Sequence, residues 1–233
     1  MGFGAFIITG FFMLVGWIVS SRLKSKFQRY SEIHLSKDLT GADVARLMLA
    51  DHGLSDVQVI SVEGQLTDHY NPANKTVNLS EAVYNGRNAA ATAVAAHECG
   101  HAVQHAKAYS MLELRSAMVP IQNISSKIIN FVFMAMLFGA FALPRVFSPD
   151  IALLIIIACY GVFALFALIT LPVEFDASKR ALAWIDNRGI VTRQEHDMAK
   201  DALKWAAMTY VVAAIGAITM LLYYVMIFLG RRD

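Results

Sequence analysis

Residues 151–171 run for 21 positions without one charged side chain. A helix of about 20 apolar residues is what the hydrocarbon core of a bilayer demands of a spanning segment. Residues 3–19, 128–143 and 206–229 repeat the pattern. The segment at 128–143 is shorter and contains Asn130, so it needs Lys127 and Arg145 to snorkel to the interfaces. The first segment is preceded by no charge and followed at once by Arg22, Lys24, Lys26 and Arg29. A secretory signal peptide has the reverse arrangement, so this segment reads as an uncleaved anchor. Composition agrees: 57% of residues are hydrophobic and 16% charged, against about 45–50% and about 25% in soluble domains. The expectation is a mainly α-helical integral membrane protein with about four transmembrane helices, partnered by the lipid bilayer. A net charge of +2 supplies no basis for a nucleic-acid partner. Cys99 and Cys159 give no disulfide framework and read as small apolar residues.

The spans divide the chain into an anchor (1–20), a domain of different character (21–127), a transmembrane hairpin (128–171), a helical segment (172–205) and a last span with its tail (206–233). Within 21–127, Thr40-Gly41-Ala42-Asp43 predicts a helix start, with Thr40 as N-cap and Asp43 in the first turn. Residues 57–62 alternate and are rich in β-branched side chains, which predicts a strand. Asn71-Pro72-Ala73-Asn74 predicts a turn with a short strand, 75–79, after it. Residues 88–108 are alanine-rich and unbroken except at Gly100, which predicts a helix. The domain is therefore expected to be a small α+β unit.

His97-Glu98-Cys99-Gly100-His101 lies inside that last helix. Residues four apart share a helical face, so both imidazoles can reach one metal ion. Glu98, displaced by one residue, can stand beside the metal and take a proton from a water polarised there. The preceding strand, 75–79, is a candidate edge on which an extended peptide could dock. A catalytic zinc site normally has three protein ligands, and the candidates for the third are His69, His105, Glu113, Glu174, Asp176 and His196. His105 is a full turn too far along the helix. Glu174 returns to the same side of the membrane because two spans separate it from the motif. It stands two residues after Pro172, where a new helix could begin, so an interfacial carboxylate at a helix start remains an equal reading.

Glu174-Phe175-Asp176-Ala177-Ser178 resembles the E-x-x-A-D motif of membrane gluzincins such as HtpX and the CaaX prenyl protease. Asp68-His69-Tyr70-Asn71-Pro72 and residues 94–104, 171–181 and 203–213 resemble more closely the YugP-like family of neutral zinc metallopeptidases. The resemblance covers nearly the whole chain after the first span. It implies a zincin-like domain, one Zn2+ per chain held by His97, His101 and Glu174, Glu98 as catalytic base, and peptide or membrane-protein substrates. Ser178 departs from the HtpX pattern by replacing its final Asp, and would orient a ligand histidine without charge. Asp176 could compensate, although on a regular helix it would face elsewhere. An oxyanion-stabilising donor is also expected, with His69, Tyr70, His196 and Tyr210 as candidates. The competing reading is a non-catalytic membrane scaffold with a structural zinc. Such a site is closed by four ligands, usually including cysteine, and would leave Glu98 without a purpose.

With four crossings, residues 20–127 and 172–205 share one side and hold 17 of the 20 Lys and Arg, the exceptions being Arg145, Arg231 and Arg232. Arg22, Lys24, Lys26 and Arg29 after the first span, and Lys179 and Arg180 after the third, predict that this side is cytoplasmic. The expected location is the cell membrane, with the active site on the cytoplasmic face.

Overall fold

The structure is a computed structural model that describes residues 3–142 and 148–230; the side chains of 137–142 lie outside that description. It is mainly helical, with one small sheet, in the order α1 (Phe3–Ser31), α2 (Gly41–Asp51), β1 (Gln58–Val62), β2 (His69–Asn71), β3 (Thr76–Ser80), α3 (Glu81–Tyr84), α4 (Ala89–Ala106), α5 (Ser110–Ala142), α6 (Pro149–Asn187) and α7 (Arg193–Leu229). Two compact units emerge. One comprises residues 1–17, 114–171 and 210–233; the other comprises 18–113 and 172–209. Three helices, α1, α6 and α7, are long and apolar enough to cross a membrane. The segment expected at 128–143 falls in α5 and continues into residues outside the description.

The first unit buries Ala5, Ile129, Val132, Ile156, Met220 and Tyr224 against one another. Small residues let its helices approach: a Cβ on Gly4 would lie 2.8 Å from the Tyr223 ring, and one on Gly216 would lie 3.3 Å from Phe12. Phe6, Phe11, Phe131, Leu165, Leu222 and Met226 point outward. That inversion suits hydrocarbon as the solvent.

The second unit has its own core, built from Leu35, Met48, Val77, Leu79, Val83, Ala95, Val103 and Ile185. Helix α2 starts as the sequence predicts: the Thr40 hydroxyl accepts from the Asp43 N–H, and the Asp43 carboxylate accepts from the Thr40 N–H, which closes a capping box. Asn88 caps α4 in the same manner, its side-chain oxygen accepting from Ala91. The sheet has the order β1-β3-β2, with β1 parallel and β2 antiparallel to β3. This corrects one expectation: the strand before the motif helix is β3, and it is central and wholly buried, so it cannot be a docking edge. The outer strands of the sheet are β1 and β2. Three-residue β2 was too short to leave a periodic signal and was hidden in the Asn71-Pro72 turn.

A second correction concerns Pro172. No helix starts there; α6 runs through it from Pro149 to Asn187. A proline inside a helix removes one backbone hydrogen bond and favours a kink, which the surrounding apolar run tolerates. Glu174 is therefore carried on the continuation of α6 beyond the apolar run of 151–171.

Helices α4 and α6 meet where α4 has no side chain. A Cβ on Gly100 would fall 2.7 Å from the Ala177 carbonyl oxygen and 3.1 Å from its Cα. Nearer the C-terminal end of α6, Asp51 accepts from the Trp184 indole at 3.0 Å and pairs with Arg188 at 3.0 Å, which fixes α2 against α6. The start of α7 is secured by Glu195, a buried carboxylate. It accepts from the N–H and hydroxyl of both Ser36 and Thr192, all at 2.7–2.8 Å. Burial alone would raise its pKa, but these donors outweigh burial and hold it below the usual glutamate range.

Gly100→Ala should lower stability by about 1–3 kcal/mol, because the backbones must separate. Helix propensity alone would favour alanine by about 1 kcal/mol, so the sign of the change in thermal midpoint decides between the two. Glu195→Gln should cost about 1–3 kcal/mol at neutral pH, since an amide nitrogen must face a donor. A carboxylate whose folded pKa is depressed stabilises above its unfolded pKa and loses that contribution as pH falls through the folded value. The gap between wild type and variant in thermal unfolding should therefore be full at pH 7 and close under acid.

Candidate metal centre

Helix α4 places His97 and His101 one turn apart on the face turned to α6, and Glu174 of α6 meets them there. Glu174 Oε2 is 3.3 Å from His97 Nε2 and 3.6 Å from His101 Nε2. The imidazole rings stand edge to face with centroids 4.8 Å apart. One donor atom from each of the three residues lies within 4.8 Å of the others, so the group could hold a metal ion.

The donors fit zinc in both spacing and chemistry. Zn–N and Zn–O bonds of about 2.0–2.1 Å in a tetrahedron put neighbouring donors about 3.3–3.4 Å apart, close to the two spacings from Glu174. Glu174 is 2% exposed, and Glu98 and His101 are each 8% exposed. Two carboxylates so far from water need a cation among them. The protein's own response points the same way. Burial, the largest influence on His101, opposes its charge, yet the hydrogen bond to Glu174 and the charges of Glu98 and Glu174 overcome it and raise the pKa. Burial likewise pushes the Glu174 carboxyl up, and the two imidazoles more than reverse it, holding the group well below the carboxylate range.

The outer nitrogens of both imidazoles are engaged as well. Gln104, fully buried, donates through Nε2 to the Val173 carbonyl at 2.8 Å and to Asp176 Oδ2 at 2.8 Å. Its Oε1 therefore faces His101 Nδ1, 3.0 Å away. That ring nitrogen carries a proton, so Nε2, which faces Glu174, is the nitrogen that would be free to ligate a metal. Ser178 Oγ lies 3.1 Å from His97 Nδ1 and can accept from it in the same sense. Asp176 does not reach either histidine. It pairs with Arg180 and meets His101 only through Gln104.

Glu98 is held by main chain. Its Oε2 accepts from the Tyr70 N–H of β2 at 3.0 Å. The Asp68-His69-Tyr70-Asn71-Pro72 stretch thus has a structural purpose: Asp68 accepts from the Ser80 N–H at 2.7 Å and from its hydroxyl, which seats β2 beside β3, and Tyr70 presents its amide to Glu98. Reading the sequence alone missed this amide and Gln104. The only trace of the latter is its place three residues after His101 on the same helical face.

Several other residues singled out have surroundings of their own. His105 Nδ1 is 2.8 Å from the Tyr70 hydroxyl, and His69 Nδ1 is 2.7 Å from the Thr67 carbonyl. His196 lines a groove between α6 and α7. Tyr210 belongs to the membrane unit. Cys99 is fully buried with its thiol toward the Ala45 carbonyl, away from the histidine face, and burial raises its pKa well above the usual thiol range.

Comparison with known proteins agrees with this chemistry. The chain is 44% identical over 213 residues to a protein of Bacillus subtilis (strain 168) named "Putative membrane protease YugP", covering 91% of each. No solved structure matches it. Residues 5–229 match the family described as "Putative neutral zinc metallopeptidase", and the chain belongs to that family.

Proposed function

We propose that this protein is a membrane-embedded metalloendopeptidase that hydrolyses peptide bonds at a single zinc held by His97, His101 and Glu174, with Glu98 as general base. The observation that carries the reading is the convergence of three donor atoms within 4.8 Å beside a second carboxylate. Zinc bound there would supply Lewis acidity, acidifying a water and polarising the scissile carbonyl. Glu98 takes the proton of the attacking water on one carboxylate oxygen and passes it to the departing amine. The Tyr70 amide holds the other oxygen, Oε2, so the base meets the reacting atoms in one orientation. Gln104 and Ser178 keep the ligand imidazoles in the tautomer that leaves Nε2 free. The buried setting limits competing water.

Glu98→Gln should abolish cleavage of a casein-type or self substrate and leave one zinc per chain, because every ligand remains. Glu174→Ala should lose activity and lower zinc affinity together, whereas His105→Ala should change neither appreciably. Metal analysis beside a cleavage assay checks all three. Full activity in the Glu98 variant would end the mechanism, and zinc lost from the His105 variant but kept in the Glu174 variant would reverse the ligand set.

The second part of the proposal is a four-span topology with the site on the cytoplasmic face. Its support is the basic flank of residues 22–29 and of 179–180. The chemistry adds a constraint, because His101 and Glu174 can share a metal only if an even number of crossings separates them. In a background carrying Cys99→Ala and Cys159→Ala, single cysteines at the exposed Gln65 and Ser148 can be probed in intact cells with an impermeant maleimide. Ser148→Cys should label and Gln65→Cys should be protected; the opposite pattern refutes the orientation.

A further inference from the structure

Gln104 is wholly buried, and its amide is committed on both sides. Oε1 lies 3.0 Å from His101 Nδ1, and Nε2 donates at 2.8 Å to the Val173 carbonyl and at 2.8 Å to Asp176 Oδ2. A reversed amide would set Oε1 against a carbonyl and a carboxylate, neither with a hydrogen to give. It would also turn its NH2 toward His101 Nδ1, which could then only accept. The ring proton would move to Nε2, the nitrogen that faces Glu174, and a protonated Nε2 cannot ligate a metal. The sense of one buried amide therefore separates a metal-competent imidazole from an incompetent one.

Two acceptors oppose that reversal, and they differ in strength. The Val173 carbonyl is neutral and lies inside α6, where the helical ladder also calls on it. Asp176 is ionised, and a hydrogen bond to an ionised acceptor is roughly twice as strong as a neutral one. Ser178 brings no charge behind His97; Asp176 brings one behind His101, a single amide removed. Arg180 pairs with the same Asp176 oxygen and lies over the Tyr109 ring, 5.9 Å from its centroid. An ion pair between residues four apart on a helix is a common surface feature, but one that served the surface alone has no use for a fully buried amide as its third member.

We propose that Asp176 is a positioning residue for the metal centre: through the Gln104 amide it holds His101 in the tautomer that leaves Nε2 for zinc. The inference rests on the reading of His97, His101 and Glu174 as zinc ligands. Arg180 shares the carboxylate without contributing to the tautomer, so the two members of the ion pair have unequal consequences for the metal.

The test measures zinc affinity of the full chain in detergent by competition with a chelator, with circular dichroism of the metal-free variants to establish that each is folded. Asp176→Ala should weaken zinc binding by about 10–100-fold. Asp176→Asn keeps an oxygen that can accept from Gln104 and should lose less. Arg180→Gln removes the ion pair and leaves that bond, so its affinity should stay within about two-fold of the wild type. In Gln104→Ala the amide is gone, and adding Asp176→Ala should then cost no further affinity, a coupling that a merely structural carboxylate would not give. Should Asp176→Ala not fold, Asp176→Asn against Arg180→Gln decides, the former being the weaker binder. Wild-type affinity in Asp176→Ala, an equal loss in Arg180→Gln, or a full additional loss in the double variant overturns the proposal and leaves the ligand set standing. A wild type that takes up no zinc overturns the ligand set, and this proposal with it.

Discussion

A glutamate carboxylate removed almost wholly from water costs several kcal/mol unless its charge is met. Glu174 is in that position, with two imidazole nitrogens at 3.3 and 3.6 Å and a second buried carboxylate, Glu98, on the facing helix. The second unit is organised around that requirement. Helix α4 is turned so that both histidines face α6, Gln104 ties His101 to the α6 backbone, and Ser178 meets His97 from the same side. Each of these bonds also orients an imidazole lone pair toward the same point. The stability of the fold and the geometry of the site are therefore set by the same contacts.

Small residues make the arrangement possible. Ala89, Ala90, Ala91, Ala93, Ala95 and Ala96 are all fully buried, so α4 is surrounded by protein on nearly every side at short range. Gly100 brings its backbone against Ala177, one turn beyond Glu174. A helix with larger side chains at these positions would stand too far from α6 for a carboxylate to bridge to its histidines. The alanine run is thus a distance setting as much as a helix former.

Much of this was legible in the sequence, and the physical reasons differ by element. The apolar run of 151–171 and the H-E-x-x-H spacing are periodic or continuous signals, which survive any tertiary context. The Thr40 cap is local chemistry and is placed directly by its spacing to Asp43. Strand β2 could not, because three residues carry no period. The continuity of α6 through Pro172 was also hidden: proline is a strong local breaker, and the burial of Val173, Ala177, Ala181 and Ile185 beyond it is a tertiary effect. Gln104 and Asp176 defeated the reading for another reason. Their partners lie on different helices, and no spacing rule links position 104 to position 173.

The anchor of Glu98 is of another kind again, since the Tyr70 group that meets it is an amide of the main chain. Every residue except proline carries that donor, so the specification is written in spacing and not in side-chain identity. What fixes it is the pairing of Asn71 with Thr76, and hence the length of the turn from 72 to 75, where Lys75 adopts a left-handed φ of 52°. An insertion or deletion of one residue in that turn would slide β2 along β3 and carry a carbonyl to where the N–H now stands. Point substitution can erode a site one side chain at a time, but at position 70 any residue other than proline keeps this donor, and a change in chain length would move it.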